Sequence, residues 1–99
     1  MRVVYKAPGE KPKIKDVTND LDEFQNLVGG WIEHVGIRHG LGLIINEEGK
    51  LHGMQPNFYL SKINDLIVGP AVFVGEDGED FTDISDRDVE LVMLHFTEV

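Results

Sequence analysis

The sequence predicts an α+β domain, in which a mixed, largely antiparallel sheet of about five to six short strands carries two main helices on one face. Three observations lead to this class. Short runs of β-branched and apolar residues alternate with tight turns, two segments have the apolar spacing of amphipathic helices, and the chain has 99 residues. Because this length suits one ordinary domain, we predict a single domain over residues 1–99.

The first predicted element is a β-hairpin. Residues 2–6 and 13–17 are short runs that contain β-branched and aromatic side chains, and the connection between them is rich in turn-forming residues. Pro8 and Pro12 lie in this connection and have no N–H to donate to a strand ladder. The two prolines therefore confine residues 7–12 to a loop or to the end of a strand.

A helix is predicted next, between a cap at Asn19 or Thr18 and the glycines that follow Val28. Asn19 or Thr18 can cap it, and acidic residues in its first turn suit the positive end of the helix dipole. Its apolar residues recur at helical spacing along one stripe. Gly29 and Gly30 end the helix, because glycine takes the left-handed conformation at a helix C-terminus without strain.

The middle of the chain predicts three strands and a helical turn. Residues 31–37 and 41–45 are predicted strands, and the second is nearly continuous in apolar residues, which indicates a strand covered on both faces. A tight turn over 46–49 leads to a third short strand over 50–54. A helical turn is predicted over 57–63, because the proline before it suits a first helical position.

The last third predicts one strand and one helix. Residues 66–74 form the most apolar stretch, and Gly69-Pro70 in its middle indicates a bulge or an edge. Ser85 begins the last helix in a pattern that resembles a capping box, with an acidic residue three positions later. The apolar residues of this helix cover more than one face, which predicts either burial on two sides or contact with a partner.

Composition excludes several classes of function. The chain has no cysteine, so it has no disulfide, no thiolate zinc site and no cysteine nucleophile. Its formal net charge of −9 argues against direct binding to nucleic acid or to anionic membranes. The apolar run before Lys6 is too short for a secretory signal, and Pro70 interrupts the longest apolar stretch. We therefore expect a cytoplasmic protein with no membrane partner.

The charge is distributed unevenly. Residues 1–15 have a net charge of +4, and residues 76–90 have a net charge of −7. One interpretation is a basic edge hairpin, whose lysines discourage strand pairing, and a solvated acidic loop. The other is head-to-tail self-association or an acidic docking face. In that case the candidate partner-binding residues are Glu76, Asp77, Glu79, Asp80, Asp83, Leu91 and Leu94.

A second set of candidates lies between residues 46 and 59, the segment that is richest in uncharged polar groups. Such groups can converge as hydrogen-bond donors and acceptors in a small-molecule pocket. The candidate ligand-binding residues are Asn46, His52, Gln55, Asn57 and Tyr59. The alternative is that these side chains cap turns and satisfy the backbone of loops.

The sequence contains no familiar catalytic or metal-binding pattern. Ser61 is not flanked by the glycines of a nucleophile elbow, and Gly42 is not followed by a glycine at the spacing of a dinucleotide fingerprint. His34 and His39 do not have a zinc-binding spacing, and the acidic run after residue 75 does not follow the order of an EF-hand loop. We therefore predict no catalytic residue, no metal and no cofactor.

The stretch from Asn46 to Asn57 resembles a known family. It is similar to the pattern NEEGKLxGxxxN, the core of an uncharacterised family, the domain of unknown function 3846. Further similarity lies in the VGGWIE step over 28–33, in the strand over 67–75 and in the apolar helix after Ser85. The resemblance implies no activity and no catalytic residue. It implies a setting, since the members are short proteins of bacteria, phages and mobile elements.

These observations predict a small acidic accessory protein that acts by binding a protein partner or a second copy of itself. Two alternatives remain open. The first is binding or sequestration of a small molecule or nucleotide. The second is partial DNA mimicry, in which carboxylates imitate a phosphate backbone and block a host nucleic-acid-binding protein. A full mimic should be acidic along its length, whereas the first fifteen residues are basic.

Overall fold

The main sheet places its most apolar strands at its centre. The computed structural model describes residues 1–96, which form eight strands, two α-helices and one 3-10 turn. In chain order these are β1 (Arg2–Lys6), β2 (Lys13–Asp16), α1 (Leu21–Val28), β3 (Ile32–Arg38), β4 (Leu41–Asn46), β5 (Pro56–Leu60), the 3-10 turn (Ser61–Ile63), β6 (Asp65–Val68), β7 (Ala71–Asp77), β8 (Asp80–Thr82) and α2 (Asp86–His95). The predicted α+β class is confirmed.

Six strands form one sheet in the order β2-β1-β7-β4-β3, and β8 pairs with the C-terminal part of β7. The registers Val4↔Phe73 and Gly75↔Thr82 show that β1 and β8 pair with successive parts of β7. Strands β5 and β6 form a separate two-stranded sheet. Every strand pair among the described residues is antiparallel, so the sheet is more regular than the mixed sheet that the sequence predicts.

The two helices lie on opposite faces of the main sheet, so their predicted placement on one face is wrong. Phe24 and Val28 of α1 pack with Ile44 and Val72 on one face. On the other face, α2, through Val92, and the two-stranded sheet pack over the alternate residues of the same strands, Leu41, Leu43 and Phe73 among them. Since every residue of β4 is buried, each face needs a cover of its own.

An aromatic cluster joins the second face to its cover. The ring of Phe58 from β5 stacks on Phe73 from the main sheet at 5.6 Å between centroids. Phe96, at the end of α2, lies 4.8 Å from Phe58 and 5.1 Å from Phe73. The three rings therefore connect all three layers of this side of the molecule, and their geometry is of the kind that stabilises aromatic pairs.

Three elements predicted between residues 50 and 74 are wrong. The strand predicted over 50–54 is a series of turns, in which the N–H of Met54 bonds the carbonyl of Gly49. The helical turn predicted over 57–63 is mostly strand β5, and only its last three residues are helical. The strand predicted over 66–74 is two strands in different sheets, because Gly69 takes a positive φ of 75° and turns the chain.

Both helix starts have side-chain caps. Asp20, one residue beyond the predicted cap, accepts a hydrogen bond from the N–H of Glu23 at 2.8 Å. Asn19 is not the cap, because its side-chain amide donates to the carbonyl of Phe81. The predicted cap of α2 is confirmed, since the hydroxyl of Ser85 accepts from the N–H of Asp88 at 3.1 Å.

We expect Ser85→Ala to lower the free energy of unfolding by about 1 kcal/mol, because it removes the acceptor for an N–H in the first turn of α2. Urea denaturation followed by circular dichroism measures this change. Ser61→Ala, which alters the other serine of the chain, is the control and should leave stability nearly unchanged. Equal unfolding midpoints for wild type and Ser85→Ala would refute the assignment of the cap.

Candidate functional site

The first candidate ligand residue, Asn46, is a buried structural side chain. Its amide donates to the carbonyl of Val28 at 3.2 Å, and its carbonyl oxygen accepts from the N–H of Glu48 at 2.8 Å. These bonds tie the end of α1 to the turn that follows β4. A Cβ on Gly30 would lie 2.9 Å from the Asn46 amide, so the chain passes this side chain closely. The polar atoms of Asn46 are therefore already occupied.

Asn57 is also buried, and its partner is a lysine. The ammonium of Lys6, which is 0% exposed, donates to the carbonyl oxygen of Asn57 at 2.6 Å. The Asn57 amide donates in turn to the carbonyls of Lys6 and Gly69, both at 2.8 Å. This group, the Lys6–Asn57 tie, joins β1 to the two-stranded sheet. Burial lowers the pKa of Lys6, because it disfavours the charged ammonium.

The other three candidates lie at the surface. His52 is 3.7 Å from Glu48, and Gln55 is exposed. The hydroxyl of Tyr59, which is 53% exposed, bonds the side chain of Asn64. Asn46 and Tyr59 border different surface cavities, and the side chains of Asn46 and Asn57 are engaged in separate buried contacts. The structure therefore does not bring these five residues together around one cavity.

We expect the pH dependence of stability to report the buried ammonium of Lys6. Its pKa is lowered in the folded state, so the unfolded chain binds more protons between that pKa and about 10.5, and stability rises with pH in this window. The free energy of unfolding of wild type, minus that of Lys6→Met, should therefore increase from neutral pH towards pH 10 or so. Guanidinium denaturation of both proteins across this range measures the difference.

Lys11→Met is the matched control, because it removes one positive charge from the exposed loop beside the same strand. The difference in free energy of unfolding between wild type and Lys11→Met gives the effect of losing one exposed positive charge. Subtracting it from the difference for Lys6→Met leaves the effect of burial. A difference between wild type and Lys6→Met that stays constant with pH would show that burial does not perturb this lysine.

The acidic segment is a hairpin over residues 76–82, followed by a short connection and the first part of α2, rather than one loop. Strands β7 and β8 pair in the registers Glu76↔Phe81 and Asp77↔Asp80. Phe81 packs edge-on against Phe24 of α1 at 5.6 Å between ring centroids. The backbone of Asp83 lies so close to Gly75 that a Cβ there would collide with it. The base of the hairpin is therefore fixed in the core of the α1 face.

Several of the acidic residues are paired within the chain. Glu76 contacts the imidazole of His34, and Asp88, which is buried, pairs with Arg38. Asp83 accepts from the backbone N–H of Arg2 at 2.8 Å, and the guanidinium of Arg2 lies 2.8 Å from Asp86. Four of the carboxylates after residue 75 therefore serve contacts inside the molecule.

The His34–Glu76 contact depends on a glycine between the two strands that carry these residues. Gly42 lies on β4, between β3 and β7, and a Cβ there would collide with both Glu76 Oε2 and His34 Nε2. The ring of Phe81 packs against His34 at 5.3 Å. Because Gly42 has no side chain, Glu76 of the hairpin can reach His34 of β3 across β4.

Three carboxylates remain free at the end of the hairpin. Asp77, Glu79 and Asp80 are exposed, and none of them has an ion-pair partner within residues 1–96. We call these three residues the hairpin tip. The predicted acidic docking face is thus reduced to a smaller group of free charges on a rigid support.

The two predicted partner-binding leucines lie on α2, apart from this hairpin. Leu94 is 76% exposed, whereas Leu91 is partly buried. Leu91 borders two shallow depressions of about 320 Å³ each, one beside Ile37 and Tyr59 and the other beside Arg38. The wide apolar set of α2 is therefore explained mostly by packing on the sheet, with Leu94 as its exposed member.

Sequence reasoning missed a cleft of about 160 Å³ between β3 and the two-stranded sheet, which we call the β3 cleft. Its walls include the apolar residues Val35, Ile45, Leu66 and Val68, and its charged members are Glu33, Glu47, Asp65 and Lys50. Lys50 bonds Asp65 and holds the pKa of that carboxyl below its usual value. Glu33 and Glu47 have no ion-pair partner within residues 1–96.

The sequence holds a partial signal for this cleft. Residues 46–50 are the acidic turn of the NEEGK stretch, and they form one end of the cleft. The opposite wall comes from β6, which is placed there by the turn at Gly69 that the sequence does not reveal. The convergence of the two walls therefore depends on the tertiary fold.

Comparison with known proteins identifies the family. The family model of a domain of unknown function, DUF3846, matches residues 1–97, so the chain belongs to this family. No curated protein and no solved structure matches the chain. Neither helix within residues 1–96 has the length and apolar character needed to cross a bilayer.

Proposed function

We propose that this member of the DUF3846 family acts by binding a basic region of a protein partner through the hairpin tip, and not by catalysis. We place its action in the cytoplasm of a bacterial cell or an infected host cell, as an accessory protein of phage or mobile-element type. The observation that supports the proposal is the group of three free carboxylates, Asp77, Glu79 and Asp80, on a hairpin whose base is packed into the core.

Rigidity of the support bears directly on affinity. A flexible acidic loop loses conformational entropy when a partner orders it, whereas a preformed strand pair has already paid most of that cost in folding. Phe81 packs on both Phe24 and His34, and Glu76 contacts His34, so the base of the hairpin is held from two sides. The three carboxylates are thus presented at fixed spacing to a cationic surface.

The charge of the whole molecule supports a basic partner. The formal net charge is −9, and such a charge raises the rate at which a basic protein encounters the surface at low ionic strength. Because several neighbouring carboxylates are paired internally, the unpaired acids of residues 76–90 are the three at the tip and Glu90 on α2. No specific observation favours the alternatives of small-molecule binding and DNA mimicry over this proposal.

We expect neutralisation of the hairpin tip to weaken partner binding. The triple variant Asp77→Asn/Glu79→Gln/Asp80→Asn keeps the shape of the side chains and removes three exposed charges. Exposed charge pairs contribute about 0.2–1 kcal/mol each, so affinity should fall roughly ten-fold. Quantitative affinity capture from bacterial lysate identifies the partner, and calorimetry with the purified partner at two salt concentrations measures the change.

The control variant changes the same number of charges elsewhere. Glu10→Gln/Asp22→Asn/Glu90→Gln neutralises three exposed acids on a loop and on the two helices. It should capture the same partner as wild type with nearly the same affinity. The proposal is wrong if both triple variants behave alike, or if nothing is enriched above a column without protein.

A further inference from the structure

The two outer strands of the main sheet expose groups of opposite charge: β2 carries two lysines beside Asp16, and β3 carries a glutamate, while its Arg38 pairs with Asp88. At one edge, β2 exposes Lys13 and Lys15. At the other edge, β3 carries Glu33, which borders the β3 cleft together with Glu47. Among residues 1–96 each of these strands has a neighbour on one side only, so its other side offers backbone groups that no strand of this part of the chain pairs. Complementary charge on two free edges of one sheet is the arrangement that suits contact between copies.

We propose that a second copy of this chain adds its β2 to the β3 edge in antiparallel register, so that its lysines approach Glu33 and Glu47 at the β3 cleft. This contact joins unlike surfaces and uses neither the hairpin tip nor its partner. It therefore goes beyond the proposed function and does not depend on it.

Strand direction determines which faces meet. Each neighbouring pair in the path β2-β1-β7-β4-β3 is antiparallel, so β2 and β3 of one molecule run in the same direction. A second copy that pairs antiparallel to β3 must therefore be turned over about an axis that lies in the sheet, perpendicular to the strands. Its α1 face then lies on the α2 side of the first copy.

This turn brings the lysines to the cleft. Lys13 and Lys15 lie on the α1 face of their own molecule, where their ammonium groups are 6.0 and 4.9 Å from the ring centroid of Tyr5. Glu33 lies on the α2 face, because it pairs with Ile45 of the α2-side core. In the antiparallel arrangement the two charge groups share one face. In a parallel arrangement the sheet itself would separate them.

The apolar residues of the two edges match in the same arrangement. Ile14, which is 53% exposed, lies on the face of β2 opposite to the lysines, since it pairs with Val4 of the α2-side core. After the turn it faces the α1 side of the first copy, where Ile32 is partly buried. One face of the contact is thus ionic, and the other brings together the two isoleucines, with Asp16 and His34 as their polar neighbours on the same faces.

The lengths of the free edges also agree. The ammonium of Lys62 bonds the carbonyl of Ile37 and occupies the C-terminal end of β3. Residues 32–36 of β3 remain, against the four residues of β2. Because the contact joins two unlike surfaces, it does not close on itself as a two-fold dimer does, and copies add in a row. Because it is small and partly ionic, we expect it to be weak and sensitive to salt.

Sedimentation equilibrium of the purified chain tests the contact. In about 50 mM salt the weight-average mass should rise with protein concentration from 11.1 kDa to at least twice that value, and in about 500 mM salt it should fall back towards the monomer. A mass that stays at 11.1 kDa at millimolar concentration in low salt overturns the proposal, and would leave the lysines of β2 as protection of an edge.

Two charge variants identify the surfaces. Lys13→Glu/Lys15→Glu reverses the β2 edge, and Glu33→Lys/Glu47→Lys reverses the β3 cleft. Each variant alone places like charges at the contact and should remain a monomer. An equimolar mixture places opposite charges at the contact again and should regain the mass of wild type. Association of either variant alone, or a mixture that stays monomeric, overturns the assignment of these two edges.

A matched control distinguishes association through the β2 and β3 edges from association through the hairpin tip. Asp77→Lys/Glu79→Lys makes the same charge change as the cleft variant, at the tip. It should associate as wild type does, even though the proposed function predicts that it loses its protein partner. If this control is monomeric as well, the association depends on overall charge or on the hairpin, and the edge-to-edge contact is wrong.

Discussion

The fold depends on the burial of β4 and of most of β7 on both faces of the main sheet. All six residues of β4 and the first five of β7 are buried. A strand whose side chains are apolar on both faces destabilises the fold unless each face is covered, since each exposed aliphatic side chain forgoes roughly 1.5–3 kcal/mol. Helix α1 covers one face, and α2 with the two-stranded sheet covers the other. The remaining elements are arranged by this requirement.

The two-stranded sheet needs an attachment other than strand pairing, because within the described residues β5 and β6 pair only with each other. The aromatic cluster around Phe58 supplies the apolar part of that attachment. The Lys6–Asn57 tie supplies the polar part, since it satisfies two backbone carbonyls and one ammonium inside the molecule. A buried amide of this kind fixes the position of the small sheet, because any displacement would leave polar groups without partners.

The sequence predicts the elements whose signals are local. The α+β class, the N-terminal hairpin, the position and C-terminal end of α1 and the cap at Ser85 follow from turn residues, apolar spacing and capping patterns. The placement of α2 and the strand β5 could not be obtained in this way. An alternating apolar pattern does not reveal which sheet a strand joins. The Gly69-Pro70 pair indicates that the strand is interrupted, but it does not show that the chain passes there from one sheet to the other. The partners of Asn57, Lys6 and Gly69, are 51 and 12 residues distant in sequence.

Charge illustrates the same distinction at the surface. Net charge by segment is readable from composition, but only the fold shows that Glu76, Asp83, Asp86 and Asp88 have partners in the chain. Once these are set aside, the unpaired acids within residues 1–96 include two groups, the hairpin tip and the β3 cleft, which belong to different strands. The basic edge at β2 is complementary to either group in charge, but strand geometry distinguishes them. The cleft adjoins the outer edge of β3, which has no strand neighbour within residues 1–96, so backbone pairing and ion pairing can act together there.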